Sequence, residues 1–377
     1  MPSNHLESLH DAWVVNPSGP GGYYWEAQGD LSVNGQKYVW FTKLHDGFGL
    51  QKDSFVTNRR ALRSITADPN KKPDLSVVDF WGWSETTAGA DGVFMEVLLE
   101  ALQEVGATNP QILGLNVAGK GTPEYLNSKT GLPHINRVSW SDKMEDASAI
   151  VTRLLESHRL SSRIVLMGHS MAGTYDIHVL HTIRQYAQSK HTRHEVKHVI
   201  QLAPASDLPR AFWNPSFFGA VQKPLMRSLH QPVATACGRS SGNLGLTSPE
   251  HHDIMMHGSF DSEAFKRTVP DSAREFHVIT LHQRRKLAAM LEEDHCAEGI
   301  PFSFFRGVHD RLMTRGLIDQ LSVYMQSKKV GADVRQVVQS DHFGHAFPFT
   351  SMTPEQKGDL KEFLKLALVC AVRGDKY

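Results

Sequence analysis

Short apolar runs alternate with stretches of helical period over most of the chain after residue 75. Strands that alternate with helices are typical of βαβ units. The pattern therefore predicts an α/β fold, with a mostly parallel sheet and helices on both faces. The predicted strands span residues 75–80, 111–117, 163–167, 196–202, 302–305 and 334–338, and the predicted helices span residues 93–105, 144–155, 174–187, 315–326 and 354–372.

The N-terminal part has a different pattern. Residues 22–45 read as two strands joined by Asn34-Gly35, a pair that adopts the positive φ angles of a tight hairpin turn. This hairpin and its lead-in strands make up residues 1–74. The hairpin could pack on the sheet edge or mediate a homodimer, and the pattern leaves both open.

The alternation stops between residues 205 and 299, which predicts a mainly helical cap inserted into the core. The core would then consist of residues 75–204 and 300–377. The inserted segment is rich in aromatic residues and methionine, which either hold the cap together or line a site for a moderately large, uncharged apolar substrate. These residues are Phe212, Trp213, Phe217, Phe218, Leu225, Met255 and Met256.

Composition narrows the function classes. The net charge is zero and the basic residues are scattered, so no nucleic-acid partner is expected. No apolar stretch approaches the roughly 20 residues of a membrane span, and no secretory signal is visible, so we expect a cytoplasmic protein. Three distant cysteines do not form a disulfide framework. The histidines between His251 and His257 do not match a zinc motif, and no metal or organic cofactor is expected.

Ser170 is the candidate nucleophile. It lies in Gly-His-Ser-Met-Ala-Gly (residues 168–173), directly after one predicted strand and before a predicted helix. A sharp strand-to-helix turn exposes a hydroxyl near backbone N–H groups and the positive end of the helix, and it needs small neighbours such as Gly168 and Ala172.

An acid and then a histidine should follow the serine, each after a later strand. Asp310 follows the strand at 302–305 and is the favoured acid, with Asp207 as a weaker alternative. His345 follows the last strand and is the favoured base, because Gly344 allows a turn before it. His342 is its rival. The carboxylate would hold the imidazole tautomer and stabilise the imidazolium.

The order Ser170, Asp310, His345 resembles that of the α/β-hydrolase superfamily over residues 75–204 and 300–372. The Gly-Lys-Gly of residues 119–121 resembles the family's Gly-x-Gly strand end. The resemblance implies an oxyanion hole formed by the backbone N–H groups of Met171 and Trp83. Residues 45–49 are an alternative source of the second donor.

The expected function is therefore a serine hydrolase that cleaves an ester or related acyl bond of a small-molecule substrate through an acyl-enzyme. Two alternatives stay open. The same triad could serve an acyltransferase or thioesterase, or the fold could be a non-catalytic ligand-binding protein.

Overall fold

The computed structural model describes residues 23–46, 59–68, 71–80, 93–115, 140–156, 160–170, 172–204, 281–310, 315–344 and 352–373. Along the chain, the strands are β1 (Tyr23–Val33), β2 (Gln36–Asp46), β3 (Arg59–Thr66), β4 (Leu75–Phe80), β5 (Pro110–Leu115), β6 (Arg163–His169), β7 (Glu195–Leu202), β8 (Pro301–Gly307) and β9 (Asp333–Ser340). The helices are α1 (Val93–Glu104), α2 (Trp140–Glu156), α3 (Ala172–Lys190), α4 (Leu281–Glu292), α5 (Arg315–Gln326) and α6 (Pro354–Arg373).

The strands form one sheet in the order β1-β2-β3-β5-β4-β6-β7-β8-β9. Every pair from β5 to β9 in this order is parallel, whereas β1, β2 and β3 pair antiparallel and β3 is antiparallel to β5. In β6 every residue after the first is buried, as expected of a parallel strand covered on both faces. The predicted α/β architecture with a mostly parallel sheet is confirmed.

The N-terminal hairpin extends this sheet. Asn34 and Gly35 have φ angles of 49° and 78°, so both turn residues lie in the left-handed region. β2 pairs with β3 from Val39↔Thr66 to Asp46↔Arg59, and β3 pairs with β5. The hairpin packs on the sheet edge, which is one of the two roles that the sequence left open, and a homodimer stays a prediction. The turn is also tied to α1, because the Gln103 side-chain amide donates to the carbonyl of Val33 at 3.0 Å.

Helices cover both faces of the sheet and bury two separate apolar clusters. The helices α1 and α6 pack on one face, and α2, α3, α4 and α5 pack on the other. The largest fully buried side chains are Tyr175, Phe80, Phe94, Phe302, Phe304 and Phe305.

Helix α4 comes from the end of the predicted insertion, yet it packs on the core. Leu287, Met290 and Leu291 are buried in the same cluster as the residues of α3. An ion pair between Lys286 and Glu145 joins α4 to α2 at 3.5 Å. Residues 281–292 thus help to close one face of the sheet, and the boundary of the insertion at residue 299 stays a prediction. None of the helices in the described ranges is long and apolar enough to cross a membrane.

Candidate active site

Ser170 lies at the junction between β6 and α3 and has a φ angle of 54°. A non-glycine residue in the left-handed region is strained, and such strain is held only where the surroundings fix the backbone. Here the Ser170 N–H donates to the carbonyl of Leu202 at 2.9 Å, and the Ser170 carbonyl accepts from Gly173 N–H at 3.1 Å. The turn is therefore tied to the end of β7 and to the first turn of α3. This is the strand-turn-helix context that the motif predicted.

Glycine is required at position 168. A Cβ there would overlap a carboxylate oxygen of Asp176 and would lie 2.9 Å from the backbone of Ala172. At Gly173 a Cβ would lie 3.0 Å from the Cβ of Pro204. The helix thus runs back across the end of its own strand with no room for larger side chains, which is the physical reason for the small residues around Ser170.

Asp310 is held in a turn directly after β8 and is only 2 % exposed. Its N–H donates to the carbonyl of Gly307 at 3.1 Å. The same turn is bonded to the chain after β9: Val308 N–H donates to the Ser340 carbonyl at 2.8 Å, and His309 N–H donates to the Phe343 carbonyl at 3.2 Å. We call residues 307–310 the acid turn and residues 340–344 the β9 turn. The two turns form one hydrogen-bonded unit.

The contact between these turns is close at Gly307. A Cβ at this position would overlap the carbonyl of Phe343 and would lie 2.7 Å from the carbonyl oxygen of Gly344. The chain therefore passes directly over the acid turn just before it reaches position 345. His345 itself lies outside the described residues, as do the weaker acid candidate Asp207 and the two oxyanion candidates Met171 and Trp83.

His342, the rival base, is engaged elsewhere. Its Nδ1 lies 2.9 Å from a carboxylate oxygen of Asp359 on α6, and its carbonyl accepts from the Gln356 side chain at 2.7 Å. The Ser340 hydroxyl also donates to Asp359, at 2.6 Å. Hydrogen bonds from Ser340 and then from His342 lower the pKa of the Asp359 carboxyl. These contacts hold the His342 ring against an exposed part of α6.

The oxyanion candidates follow strands whose positions are known. Phe80, the last residue of β4, pairs with Gly168 in β6, so the chain that leads to Trp83 starts beside the strand that carries Ser170. The alternative segment, residues 45–49, begins at the end of β2, four strand positions from β6. At the usual strand spacing this is about 19 Å away. The sheet order therefore favours the segment after β4.

Two buried ionisable groups near the site were missed by the sequence reasoning. Asp176 on α3 is fully buried, and burial, followed by the like charge of Asp79, raises the pKa of its carboxyl well above the usual range. Arg306 on β8 is 4 % exposed and precedes the acid turn. Each is a charged residue within an apolar stretch of an element that leads into or out of a candidate site residue, and this pattern could have drawn attention to them.

Other buried histidines belong to the core. His178 bonds the Ser148 hydroxyl at 2.5 Å, and His198 bonds the Ser303 hydroxyl at 2.8 Å. Burial lowers the pKa of His178 to about 4 and that of His198 to about 3, so both rings are neutral at pH 7. Ser148 lies within a helix and Ser303 within a strand, away from the strand ends. Over the described ranges no cluster of three His, Cys, Asp or Glu side chains could hold a metal ion.

The chain was compared with known proteins. It is similar to the crystal structure of the peroxisomal alpha-beta-hydrolase Lpx1 from Saccharomyces cerevisiae, with a TM-score of 0.53 and 13% sequence identity. The match covers 90% of this chain and 91% of the yeast protein. An esterase from Exiguobacterium antarcticum matches with a TM-score of 0.48 and 16% identity, over 82% of this chain and 96% of the esterase. No protein-family model and no curated protein matches the chain.

At these identities the likeness establishes the fold alone. The strand order, the helices on both faces and the similarity to the yeast structure agree. The chain therefore has the α/β-hydrolase fold, as its motifs predicted.

Proposed function

We propose that this protein is a serine hydrolase that cleaves an ester or related acyl bond, with Ser170, His345 and Asp310 as its triad. The observation that carries the proposal is the strained backbone of Ser170 at a junction between strand and helix. That conformation costs free energy and is supported by hydrogen bonds from both sides. Its chemical use is to raise a hydroxyl above the sheet beside the N-terminus of α3, where negative charge is stabilised.

The reaction follows from these roles. The Ser170 Oγ attacks the carbonyl carbon while His345 accepts the hydroxyl proton. The N–H groups of Met171 and Trp83 bind the oxyanion that forms. When the tetrahedral intermediate collapses, the leaving alcohol takes the proton from His345. Water then attacks the acyl carbonyl with His345 as general base; the bond between the acyl group and the Ser170 Oγ breaks as His345 returns the proton to that oxygen, and the free acid leaves.

The backbone around the acid turn supports His345 over His342. Asp310 lies in the acid turn, and Gly344 passes directly over that turn one residue before position 345. His342, by contrast, is bonded to Asp359 and partly exposed. An aspartate that orients a histidine must reach its ring nitrogen by a hydrogen bond. The residue after Gly344 is well placed along the chain for that contact.

The substrate class rests on the composition of the inserted segment. Its aromatic and methionine residues favour an uncharged apolar acyl group. Each methylene group buried on binding contributes about 0.8 kcal/mol, or a factor of about four. For p-nitrophenyl esters we expect kcat/KM to rise from acetyl to octanoyl.

Labelling with a fluorophosphonate tests the triad. We expect a single adduct on Ser170 by peptide mass spectrometry and none on Ser170→Ala. The variants His345→Ala and Asp310→Asn should lower the second-order labelling rate by a factor on the order of 10³ or more, because the serine loses its base or the base loses its orientation.

Matched controls lie in the β9 turn. His342→Ala and Asp341→Asn remove the same side-chain types from neighbouring exposed positions and should label within twofold of the wild type. A folded wild-type protein that gives no adduct on Ser170 would overturn the proposal. Loss of labelling in His342→Ala, with normal labelling in His345→Ala, would transfer the role of base to His342.

A further inference from the structure

A buried arginine lies directly beneath the acid turn. Arg306 is the last residue of β8 before Gly307 and is 4 % exposed. Burial lowers the pKa of its guanidinium, and the nearby charge of Asp310 opposes that change. Removing a guanidinium from water is costly unless it is well hydrogen-bonded. Its contacts should therefore show what offsets the cost.

Among the described residues, its hydrogen bonds go to the acid turn and to the adjacent strand β9. One terminal nitrogen, Nη2, donates to the carbonyl of Val308 at 3.2 Å and to the carbonyl of Asp310 at 3.4 Å. The other, Nη1, donates to the side-chain oxygen of Gln339 on β9 at 3.2 Å. In the described part of the chain, Arg306 forms no ion pair with a carboxylate within 4.0 Å. Its hydrogen bonds thus connect the backbone of the acid turn to β9.

The geometry of a guanidinium suits this task. Its donors form a rigid plane, so two carbonyls bound to one nitrogen are held at a fixed spacing. A lysine ammonium on a flexible stem would reach the same region without imposing that plane. Because one of the two carbonyls belongs to Asp310 itself, the guanidinium constrains the residue that carries the carboxylate.

We propose that Arg306 is a positioning residue that fixes the acid turn, so that the Asp310 carboxylate leaves the backbone in the direction needed to orient the base. This inference rests on the proposed function. It extends that function to a group that touches neither the substrate nor the reacting atoms. A displacement of about 1 Å in a catalytic group can cost about 100-fold in rate, which sets the scale of the expected effect.

A double-mutant cycle separates positioning from simple stabilisation. Arg306→Met and Arg306→Lys are each made in the wild-type background and in Asp310→Ala. The fluorophosphonate labelling rate of Ser170 is measured for all six proteins, with longer incubations for the slow ones. We expect Arg306→Met to slow labelling about 10- to 100-fold in the wild-type background and less than twofold in Asp310→Ala. An arginine that acts through the Asp310 carboxylate has no effect on labelling once that carboxylate has been removed. Arg306→Lys should fold more readily and give an intermediate loss.

The chain offers a matched control in Arg184. It also donates from one terminal nitrogen to loop carbonyls, those of His295 at 2.9 Å and Cys296 at 2.7 Å, but this loop precedes β8, whereas the acid turn lies at the other end of that strand. Arg184→Met should lower the melting temperature while leaving the labelling rate within twofold of the wild type.

Two results would overturn the inference. One is an equal slowing by Arg306→Met in both backgrounds. The other is a decrease in labelling rate in Arg306→Met that is no larger than the decrease in Arg184→Met at the same fall in melting temperature. A wild-type protein that gives no adduct on Ser170 would instead overturn the proposed function, and Arg306 would lose its role with it. By contrast, a labelled wild type in which Arg306→Met leaves the labelling rate unchanged would overturn only the inference about Arg306.

Discussion

The buried carboxyl of Asp176 makes the stability of this protein depend on pH in a calculable way. Asp176 lies on α3, and one of its oxygens packs against Gly168, two residues before Ser170. Burial and then the charge of Asp79 raise its pKa, so the folded protein keeps the proton. The unfolded chain releases it above about pH 3.9. Asp176→Asn imitates the neutral acid and has no proton to lose.

The slope follows from proton linkage. Between about pH 4 and the raised pKa, the folded state binds one proton more than the unfolded state. The free energy of unfolding therefore falls by about 1.4 kcal/mol for each unit of rising pH. Asp176→Asn lacks this slope, so its advantage over the wild type should grow by the same amount per unit across that window. A constant change in hydrogen bonding by the amide would shift the difference without altering its slope.

Urea unfolding followed by circular dichroism at pH 5, 6, 7 and 8 measures this difference. Asp341→Asn makes the same chemical change at an exposed aspartate of the β9 turn and serves as the control. If the free energies of unfolding of Asp176→Asn and the wild type differ by one constant amount at all four pH values, Asp176 does not bind an extra proton in the folded state. The argument from burial would then be wrong.

Three further predictions concern packing and a buried base. Gly307→Ala should destabilise the protein by about 1–3 kcal/mol and slow Ser170 labelling, because the new Cβ would overlap the Phe343 carbonyl. A variant that is as stable and as reactive as the wild type would contradict this prediction. Gly316 lies in α5, and a Cβ there would have nothing within 4 Å, so Gly316→Ala should instead raise the free energy of unfolding by about 0.4–1 kcal/mol. A lower free energy of unfolding in urea would contradict the open space described around this position. The pKa of His178 is about 4 in the folded protein, so the unfolded chain binds a proton more readily below pH 6.5. The free energy of unfolding of the wild type should therefore fall by on the order of 3 kcal/mol as the pH falls from 6.5 to 4. His178→Gln should lack that loss in urea titrations, and parallel curves would refute it.

Local pattern predicted much of the parallel sheet and the turn at Ser170. The apolar run before Ser170 and the small residues around it describe a strand, a tight turn and a helix, and all three are observed. The hairpin turn at Asn34 and Gly35 was likewise readable, because both residues tolerate positive φ. These features depend on neighbours in sequence, so a linear reading captures them.

Features that depend on distant contacts were less accessible. The pairing of β3 with both β2 and β5, which attaches the hairpin to the sheet, joins segments far apart in the chain. Gly307 contacts Phe343 only after β8 and β9 have paired. The hydrogen bonds from Arg306 to the backbone carbonyls likewise form only in the paired strands. In the sequence, Arg306 directly follows the predicted strand at 302–305, and no local pattern distinguishes it from other charged residues. Only its burial and its acceptors show which backbone it holds.

The parallel pairing of β7 with β8 has a consequence for how this protein could change its substrate range. The two strands are neighbours in the sheet, although residues 203–300 lie between them in the chain. The entropy lost on closing such a connection grows only with the logarithm of its length, so halving or doubling it changes the free energy by about 0.6 kcal/mol. In the described part of this connection, α4 packs on the core together with Cys296 and Ala297 and would have to be kept, whereas a change in the length of residues 205–280 would alter the closure entropy by only this small amount. Under the proposed function, in which the inserted segment lines the substrate site, recombination or directed evolution at this junction would therefore act on ligand preference at little cost in loop-closure entropy.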